Sequence, residues 1–214
     1  MSWEDLSVSE EVLQKWFEGK QFTADWTSYH IANWARWVSS LQGKEIHILE
    51  LGSLEGRSAI AWLNLLPRAK ITCVDAFFDP GTETTNAVTQ RRFDENLAEY
   101  AGRVEKFAEP FRTAIPRLLA ENRRFDLIYN DGDHRRDETL VATALTWPML
   151  RQNGIYIWDD YLWEIDLSSK DRPQEAIDWF QDRYKSELEI IDTGYQIAVR
   201  RLSRGAVPLS RNAG

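Results

Sequence analysis

Two short acidic segments carry the most chemistry in this sequence: Asn130-Asp131-Gly132-Asp133-His134 and Asp159-Asp160-Tyr161. Each follows an apolar run that reads as a strand. If the two strands are neighbours, Asp131, Asp159 and Asp160 meet at one rim, where three carboxylates repel unless protonated or neutralised. A hard divalent cation with oxygen ligands, Mg²⁺ first among them, relieves that repulsion. His134 lies three residues beyond Asp131, and an imidazole titrating near neutrality beside a cation-bound hydroxyl suits a general base. The competing reading has the same carboxylates capping helices or solvated in loops, and the histidine packed at a helix start.

A second constellation is Glu50-Leu51-Gly52-Ser53-Leu54-Glu55-Gly56-Arg57-Ser58, between an apolar run and a helix-like one. Glycines here permit a sharp turn and close approach of a ligand to the main chain. The following helix start offers free N–H groups and partial positive charge to a carboxylate or phosphate. The spacing is G-x-x-x-G, not the G-x-G-x-x-G of nicotinamide enzymes. Ser53 stands where the glycine that admits a pyrophosphate belongs. A ligand with adenosine and a carboxylate fits better, and Asp75, ending the next apolar run, is placed to accept ribose hydroxyls. Alone, the turn does not separate a ligand site from a tight strand–helix connection; Asp75 favours the ligand.

These residues need a frame. Strand-like runs at 46–51, 70–75, 103–108, 125–130 and 155–158 alternate with helix-like segments at 57–66, 87–100, 114–122, 135–150 and 173–184. That alternation predicts βαβ units and a mostly parallel, Rossmann-like α/β sheet with helices on both faces. Strands at 188–191 and 195–201 are joined by a few residues around Thr193-Gly194, too few for a parallel crossover, so they should form an antiparallel hairpin. Helices at 9–19 and 27–41 precede the alternation. The expected organisation is a small N-terminal helical cap (1–43), the main domain (44–202) and a flexible tail (203–214).

Composition narrows the function. With 214 residues and 43% hydrophobic content the chain is long enough for one substantial domain. A net charge of −8 argues against a large nucleic-acid interface. No run is long and apolar enough to cross a bilayer, and the acidic N-terminus lacks a signal-peptide pattern. The expectation is a soluble cytoplasmic protein without membrane or nucleic-acid partners. The single cysteine, Cys73, sits in a strand-like run. Of ten tryptophans, Trp16, Trp26, Trp34 and Trp37 crowd the first forty residues, where packing is their ordinary role and an exposed binding surface the alternative.

Together, Glu50-x-Gly52-x-x-x-Gly56-x-Ser58, Asp75, Asp131-Gly132-Asp133-His134 and Gly154-x-x-x-x-Asp159-Asp160 resemble class I S-adenosylmethionine (SAM) dependent methyltransferases over roughly residues 44–201. Within that superfamily they are most similar to methyltransferase family 24, with a more distant likeness to metal-dependent O-methyltransferases of the catechol and macrolide-sugar kinds. The resemblance implies a seven-stranded sheet. It implies that Gly52 and Ser58 contact the methionine end of the cofactor, that Glu50 lies near its amino group, and that Asp75 holds its ribose, with Ser53, Gly56, Ala76 and Asp131 completing the site. It also implies Asp131, Asp159 and Asp160 as ligands of a divalent metal, with Asp131 catalytic; the role of His134 as catalytic base is inferred from its position. Catechol enzymes have asparagine at the position of Asp160 and lysine near that of His134, and the N-terminal helices match nothing assignable. The leading expectation is metal-assisted O-methylation of a small-molecule hydroxyl, on a sugar or a phenol. Metal-independent N- or O-methylation using His134 and Tyr161, and a non-catalytic SAM-binding or partner-binding role, are the alternatives; a nicotinamide oxidoreductase is disfavoured by Ser53. The acceptor and the oligomeric state, a homo-oligomer included, stay open.

Overall fold

A computed structural model describes residues 8–78 and 84–203. The segment around Pro80 and Gly81 and nearly all of the expected C-terminal tail lie outside the described residues. Fourteen main elements run in the order α1 (Glu10–Phe17), α2 (Ile31–Trp37), β1 (His47–Leu51), α3 (Arg57–Leu65), β2 (Lys70–Asp75), α4 (Ala87–Asn96), β3 (Val104–Ala108), α5 (Phe111–Ala120), β4 (Phe125–Asn130), α6 (Arg136–Thr146), β5 (Leu150–Trp158), α7 (Gln174–Arg183), β6 (Leu188–Thr193) and β7 (Ile197–Arg201). One seven-stranded sheet has the order β3-β2-β1-β4-β5-β7-β6. Strands β1 to β5 pair in parallel, and β7 is antiparallel to both β5 and β6. The expected Rossmann-like sheet with its terminal hairpin is therefore present.

The order reverses between β1 and β4, a topological switch point where the turns after adjacent strands diverge and leave a crevice. Register aligns the carboxyl ends: Leu51 pairs with Val74 and Asn130, and Asn130 with Trp158. Backbone bonds continue beyond the strands, from Gly52 N to Val74 O, Asp131 N to Leu51 O and Asp159 N to Asn130 O, at 2.9–3.0 Å. The residues just past β1, β4 and β5 are thereby held at one rim.

The period-2 alternation of the strands sorts the core into two layers. Ile48, Leu127, Tyr129, Ile155 and Ile157 face α2 and α3; Leu49, Leu51, Ile128, Tyr156 and Trp158 face the layer containing Ile115, Ala142, Ile177 and Phe180 of α5, α6 and α7. Helix α3 is buried along almost its whole length, as its run Ala59-Ile60-Ala61-Trp62-Leu63 requires. The N-terminal residues are part of this packing. Trp34 stacks on Trp62 with centroids 4.1 Å apart, and both meet the Tyr129 ring edge-on. Trp34 is fully buried, as packing predicted, whereas Trp26 is 62% exposed.

Some boundaries differ from the sequence reading. The helix expected over 27–41 is three pieces: a 3₁₀ turn at Ser28–His30, α2, and a second 3₁₀ turn at Ser39–Leu41. The second tightening falls at Ser39-Ser40, at the end of α2, where short 3₁₀ turns are common. Strand β5 begins at Leu150 rather than Ile155, because Arg151–Asn153 continue it through an irregular pairing with β4. Among the described residues no helix is long and apolar enough to cross a membrane.

Removing the Trp34 indole opens a void against Trp62 and Tyr129. Trp34→Ala should lower unfolding free energy by about 3–5 kcal/mol, measured by urea denaturation.

Candidate active site at the carboxyl rim of the sheet

The first turn is shaped by two glycines with positive φ, Gly52 (+79°) and Gly56 (+82°). A Cβ at Gly52 would stand 1.9 Å from the backbone oxygen of Asp131, so no side chain fits there while the turn lies against the end of β4. Asp75 organises the rest of the turn. Its Oδ2 accepts the N–H groups of Ser53 and Leu54 at 2.7 Å each, and Oδ1 accepts that of Phe77 at 2.6 Å. A carboxylate offers about four lone-pair positions. Three are taken by the backbone, which leaves room for one ligand hydroxyl without displacing the turn. Ala76, the next residue, is half-buried beside it.

Glu50 is fully buried on the α3 side of β1. Its Oε2 accepts the Ser53 hydroxyl at 2.6 Å and the Cys73 thiol at 3.5 Å, while Oε1 has no partner. Burial pushes the carboxyl up to about 7; bonds from Ser53, Ser58 and Cys73 act against that rise, and the charge of Asp75 adds to it. Ser58, on the first turn of α3, is buried.

The N-terminal segment is clamped onto this turn. Glu55 accepts Thr23 N at 2.5 Å, Thr23 Oγ1 at 2.7 Å and Arg92 Nη1 at 2.6 Å. Asn96 Nδ2 bonds the carbonyls of Gln21 and Glu55. Arg57 forks onto both oxygens of Asp25 at 2.9 and 2.6 Å, with its guanidinium 3.9 Å from the Phe17 ring centre.

The acidic cluster adjoins the turn through Asp131. One ligand atom each from Asp131, His134 and Asp160 lie within 4.8 Å of one another. His134 Nδ1 is 3.3 Å from Asp160 Oδ2, and the His134 ring packs 4.9 Å from that of Trp163. Asp160 takes φ +58°, a left-handed conformation that aspartate tolerates better than most residues. The third expected carboxylate is oriented differently. Asp159 Oδ1 accepts the N–H of Asp160 at 2.7 Å, and Oδ2 accepts the Tyr129 hydroxyl in a short bond. Tyr129 also reaches Asp131 Oδ2 at 3.2 Å, so one phenolic proton faces two carboxylates. Burial, then the neighbouring acids, raise the carboxyl of Asp131 well above the ordinary range. Burial and Asp160 raise that of Asp159, with Tyr129, Gln196 and His30 pulling it back.

Several residues at this rim carry no local signal in the sequence that ties them to it. Tyr129 alternates inward on β4 like any core aromatic. Tyr195, just before β7, donates its hydroxyl to Asp160 Oδ1 at 2.7 Å. Burial chiefly, and these carboxylates with it, raise the phenols of Tyr29 and Tyr195. His30, 6% exposed, has an unpartnered Nε2. Its ring stacks between Trp34 and Tyr195, with centroids at 6.2 and 5.7 Å. Burial lowers its imidazole, while the charge of Asp159 acts the other way. Nothing local in the sequence ties positions 30 or 195 to position 159. Tyr161 turns away, donating to Asp178 of α7 at 2.8 Å.

With this arrangement established, the sequence model of methyltransferase family 24, described as a methyltransferase domain, matches residues 49–161, more than half of the chain. The chain belongs to this family. The matched residues begin in β1 and end just past Asp159 and Asp160, so they contain both the glycine turn and the acidic cluster. A search of curated proteins finds no match. Among solved structures the chain is similar to the MycE methyltransferase from the mycinamycin biosynthetic pathway, in complex with Mg and SAH (S-adenosylhomocysteine), at 20% identity and TM-score 0.61, covering 92% of this chain and 56% of that one. The chain thus spans little more than half of MycE. It is also similar to an O-methyltransferase from Bacillus cereus in complex with SAH, at 18% identity and TM-score 0.65, covering 92% and 94% of the two chains. Cofactor-bound Rv0187 from MTB is similar at 16% identity and TM-score 0.64, with 92% of each chain covered. These likenesses show a shared methyltransferase fold.

Glu50 gives a pH signature. Its folded value of about 7 lies above the ordinary 4.5, so its stabilising contribution is complete below about pH 4.5 and is lost as pH rises through about 7. The gap corresponds to about 3 kcal/mol. Glu50→Gln should therefore match wild type near pH 4 and exceed it in stability by up to that amount at pH 8, read from denaturant melts across pH.

Proposed function

We propose that the protein is a SAM-dependent methyltransferase that methylates a hydroxyl of a small-molecule acceptor with the help of a divalent cation. The observation that carries this reading is the direct packing of the glycine turn on Asp131, which puts the turn and the acidic cluster side by side on one rim. The residues of the turn fit SAM. Glu50 Oε1 is a buried acceptor without a partner, suited to an amino group, and the start of α3 with Ser58 suits a carboxylate. Asp75 keeps one acceptor position for a ribose hydroxyl; Ser53 and Ala76 adjoin it, and Gly56 lets the turn pack closely on Leu97 and Phe93. Two carboxylates and an imidazole within 4.8 Å are a donor set that fits a divalent cation.

When bound, SAM supplies an electrophilic methyl group and the cation lowers the pKa of an acceptor hydroxyl. The chain's own contribution is positioning and proton handling. Asp131 joins the two halves, with its backbone against Gly52 and its carboxylate in the cluster. Asp131 and Asp160 orient the acceptor oxygen, with a third donor from Asp159 or His134. His134 is the other group of interest, either as proton acceptor or as that third donor; the two roles are mutually exclusive at one nitrogen. Proximity of a reactive sulfonium to a held oxygen accounts for much of the acceleration such a site can provide.

The test is isothermal titration calorimetry with SAH, with and without Mg²⁺. Micromolar binding, about −8 kcal/mol, is expected. Asp75→Ala should abolish it while keeping a cooperative thermal transition. No heat from SAH under either condition, with wild type folded, means that the turn is only a structural connection. An acceptor turned over equally well in excess chelator would leave the cofactor assignment standing and remove the cation from it.

A further inference from the structure

We propose that the pocket between α2 and the β6–β7 hairpin is a recognition subsite for a second hydroxyl of the acceptor, read by His30, and that the acceptor is an uncharged, saccharide-like polyol. The inference rests on the reading above that a small-molecule hydroxyl is methylated at the neighbouring rim, and it adds the class of molecule that carries that hydroxyl.

The pocket is walled by His30, Asn33 and Trp37 on one side and by Thr193, Tyr195 and Gln196 on the other. It adjoins the acidic rim through its tyrosine. Tyr195 donates its hydroxyl to Asp160 at 2.7 Å, while its ring stacks on that of His30 with centroids 5.7 Å apart. Tyr29 makes the same link from the N-terminal side. Its ring lies 4.1 Å from that of His30, and its phenol feels the charges of Asp159, Asp160 and Asp131. A molecule with one hydroxyl at the cluster therefore has Tyr29, Tyr195 and this pocket beside it.

His30 carries the argument. It is 6% exposed, and its Nε2 is buried with no hydrogen-bond partner among the described residues. A polar group left in that state costs stability, and an apolar ring of the same shape would avoid the cost. Stacking does not require the nitrogen. The imidazole lies nearly parallel to Trp34 and Tyr195, at interplanar angles of 15° and 23°, a role that phenylalanine would fill as well. The same stack keeps the ring from swinging out to find a partner. The nitrogen is thus held for a group that the chain does not supply.

The surroundings choose the class of that group. Among the described residues no lysine or arginine lines the pocket. Asp192 at its edge is already satisfied, by the Trp37 indole at 2.9 Å, the Thr193 N–H at 2.8 Å and Arg36. With Asp159 and Asp160 on the rim side, an anionic group would meet acids and no free cation. A phenol would spend its one hydroxyl at the cluster and leave His30 Nε2 stranded. A hydroxyl both gives and accepts a hydrogen bond, which suits an imidazole nitrogen, the Asn33 amide and the Thr193 hydroxyl alike. Tyr29 and Tyr195, 62% and 37% exposed, offer flat apolar faces to a ring. A ring with several hydroxyls has one for the cluster and another for His30. Sites built this way discriminate strongly against the analogue lacking the hydroxyl, because their own polar groups are then left unpaired.

The experiment uses the full chain loaded with SAH and Mg²⁺ and probed by saturation-transfer NMR with a panel of methyl glycosides, their deoxy analogues and 4-ethylphenol. At least one glycoside should bind, with a Kd of about 1 mM, and one of its deoxy analogues should bind at least about tenfold more weakly. His30→Phe keeps the ring stack. It should weaken that glycoside at least about tenfold and raise the urea midpoint of the unliganded protein, since no buried nitrogen is then left unpaired. Should His30→Phe not fold, Asn33→Ala takes its place and should weaken the same glycoside about fivefold. Transfer to no glycoside, binding undiminished in folded His30→Phe or Asn33→Ala, a lowered urea midpoint in His30→Phe, or 4-ethylphenol bound in preference to every glycoside each overturns the proposal. SAH is titrated first by calorimetry, so failure of the cofactor reading registers separately from failure of the subsite.

Discussion

A carbon at position 52 would lie 1.9 Å from the carbonyl oxygen of Asp131, and from that contact most of the site follows. Only glycine lets the turn after β1 lie flat on the residue after β4. The sheet order makes the approach necessary, because β1 and β4 are neighbours at the point where the winding reverses. Hydrogen bonds from Gly52 to Val74 and from Asp131 to Leu51 then stitch three strand ends into one rim. The turn and the acidic cluster are thus neighbours by construction.

The same compactness concentrates acid where water is scarce. Glu50, Asp131 and Asp159 all have carboxyls raised chiefly by burial, and the neighbouring acids reinforce the rise. Desolvated carboxylates of like charge are costly to assemble, and proteins keep such groups mainly where a proton, cation or ligand completes them. Glu50 and the Asp131–Asp159 pair belong to different halves of the site, one lined by the turn and one by Tyr129. Tyr129 links the second half to the aromatic layer of Trp34 and Trp62 beneath α2. The hydroxyl that orients two acids is therefore held by the packing that fastens the N-terminal helices to the sheet.

Those N-terminal residues also shape the site directly. Glu55 draws Thr23 and Arg92 onto the glycine turn, and Arg57 locks Asp25 across the start of α3. His30 and Tyr29 are carried to the acidic rim by the same segment. The α2 portion of the N-terminal segment packs into the main core through Trp34.

Much of the architecture was legible because it is encoded by local patterns. The alternation of apolar strands with amphipathic helices, and a link after Thr193 too short for a crossover, determined a parallel sheet ending in an antiparallel hairpin. Glycine spacing determined a tight turn before α3, and acids after β4 and β5 determined a charged rim, since residues that end adjacent parallel strands must lie together. Tertiary structure alone decided which acids point where. Asp159 and Asp160 are successive in sequence, yet one is drawn under the sheet to Tyr129 and the other faces His134 and Tyr195, because alternation and the left-handed turn at Asp160 send consecutive side chains apart. Tyr129, His30, Tyr195 and Gln196 join the rim through contacts across tens to more than a hundred residues of sequence, and no local pattern records partners brought together only by the packing of α2 and the β6–β7 hairpin against the sheet.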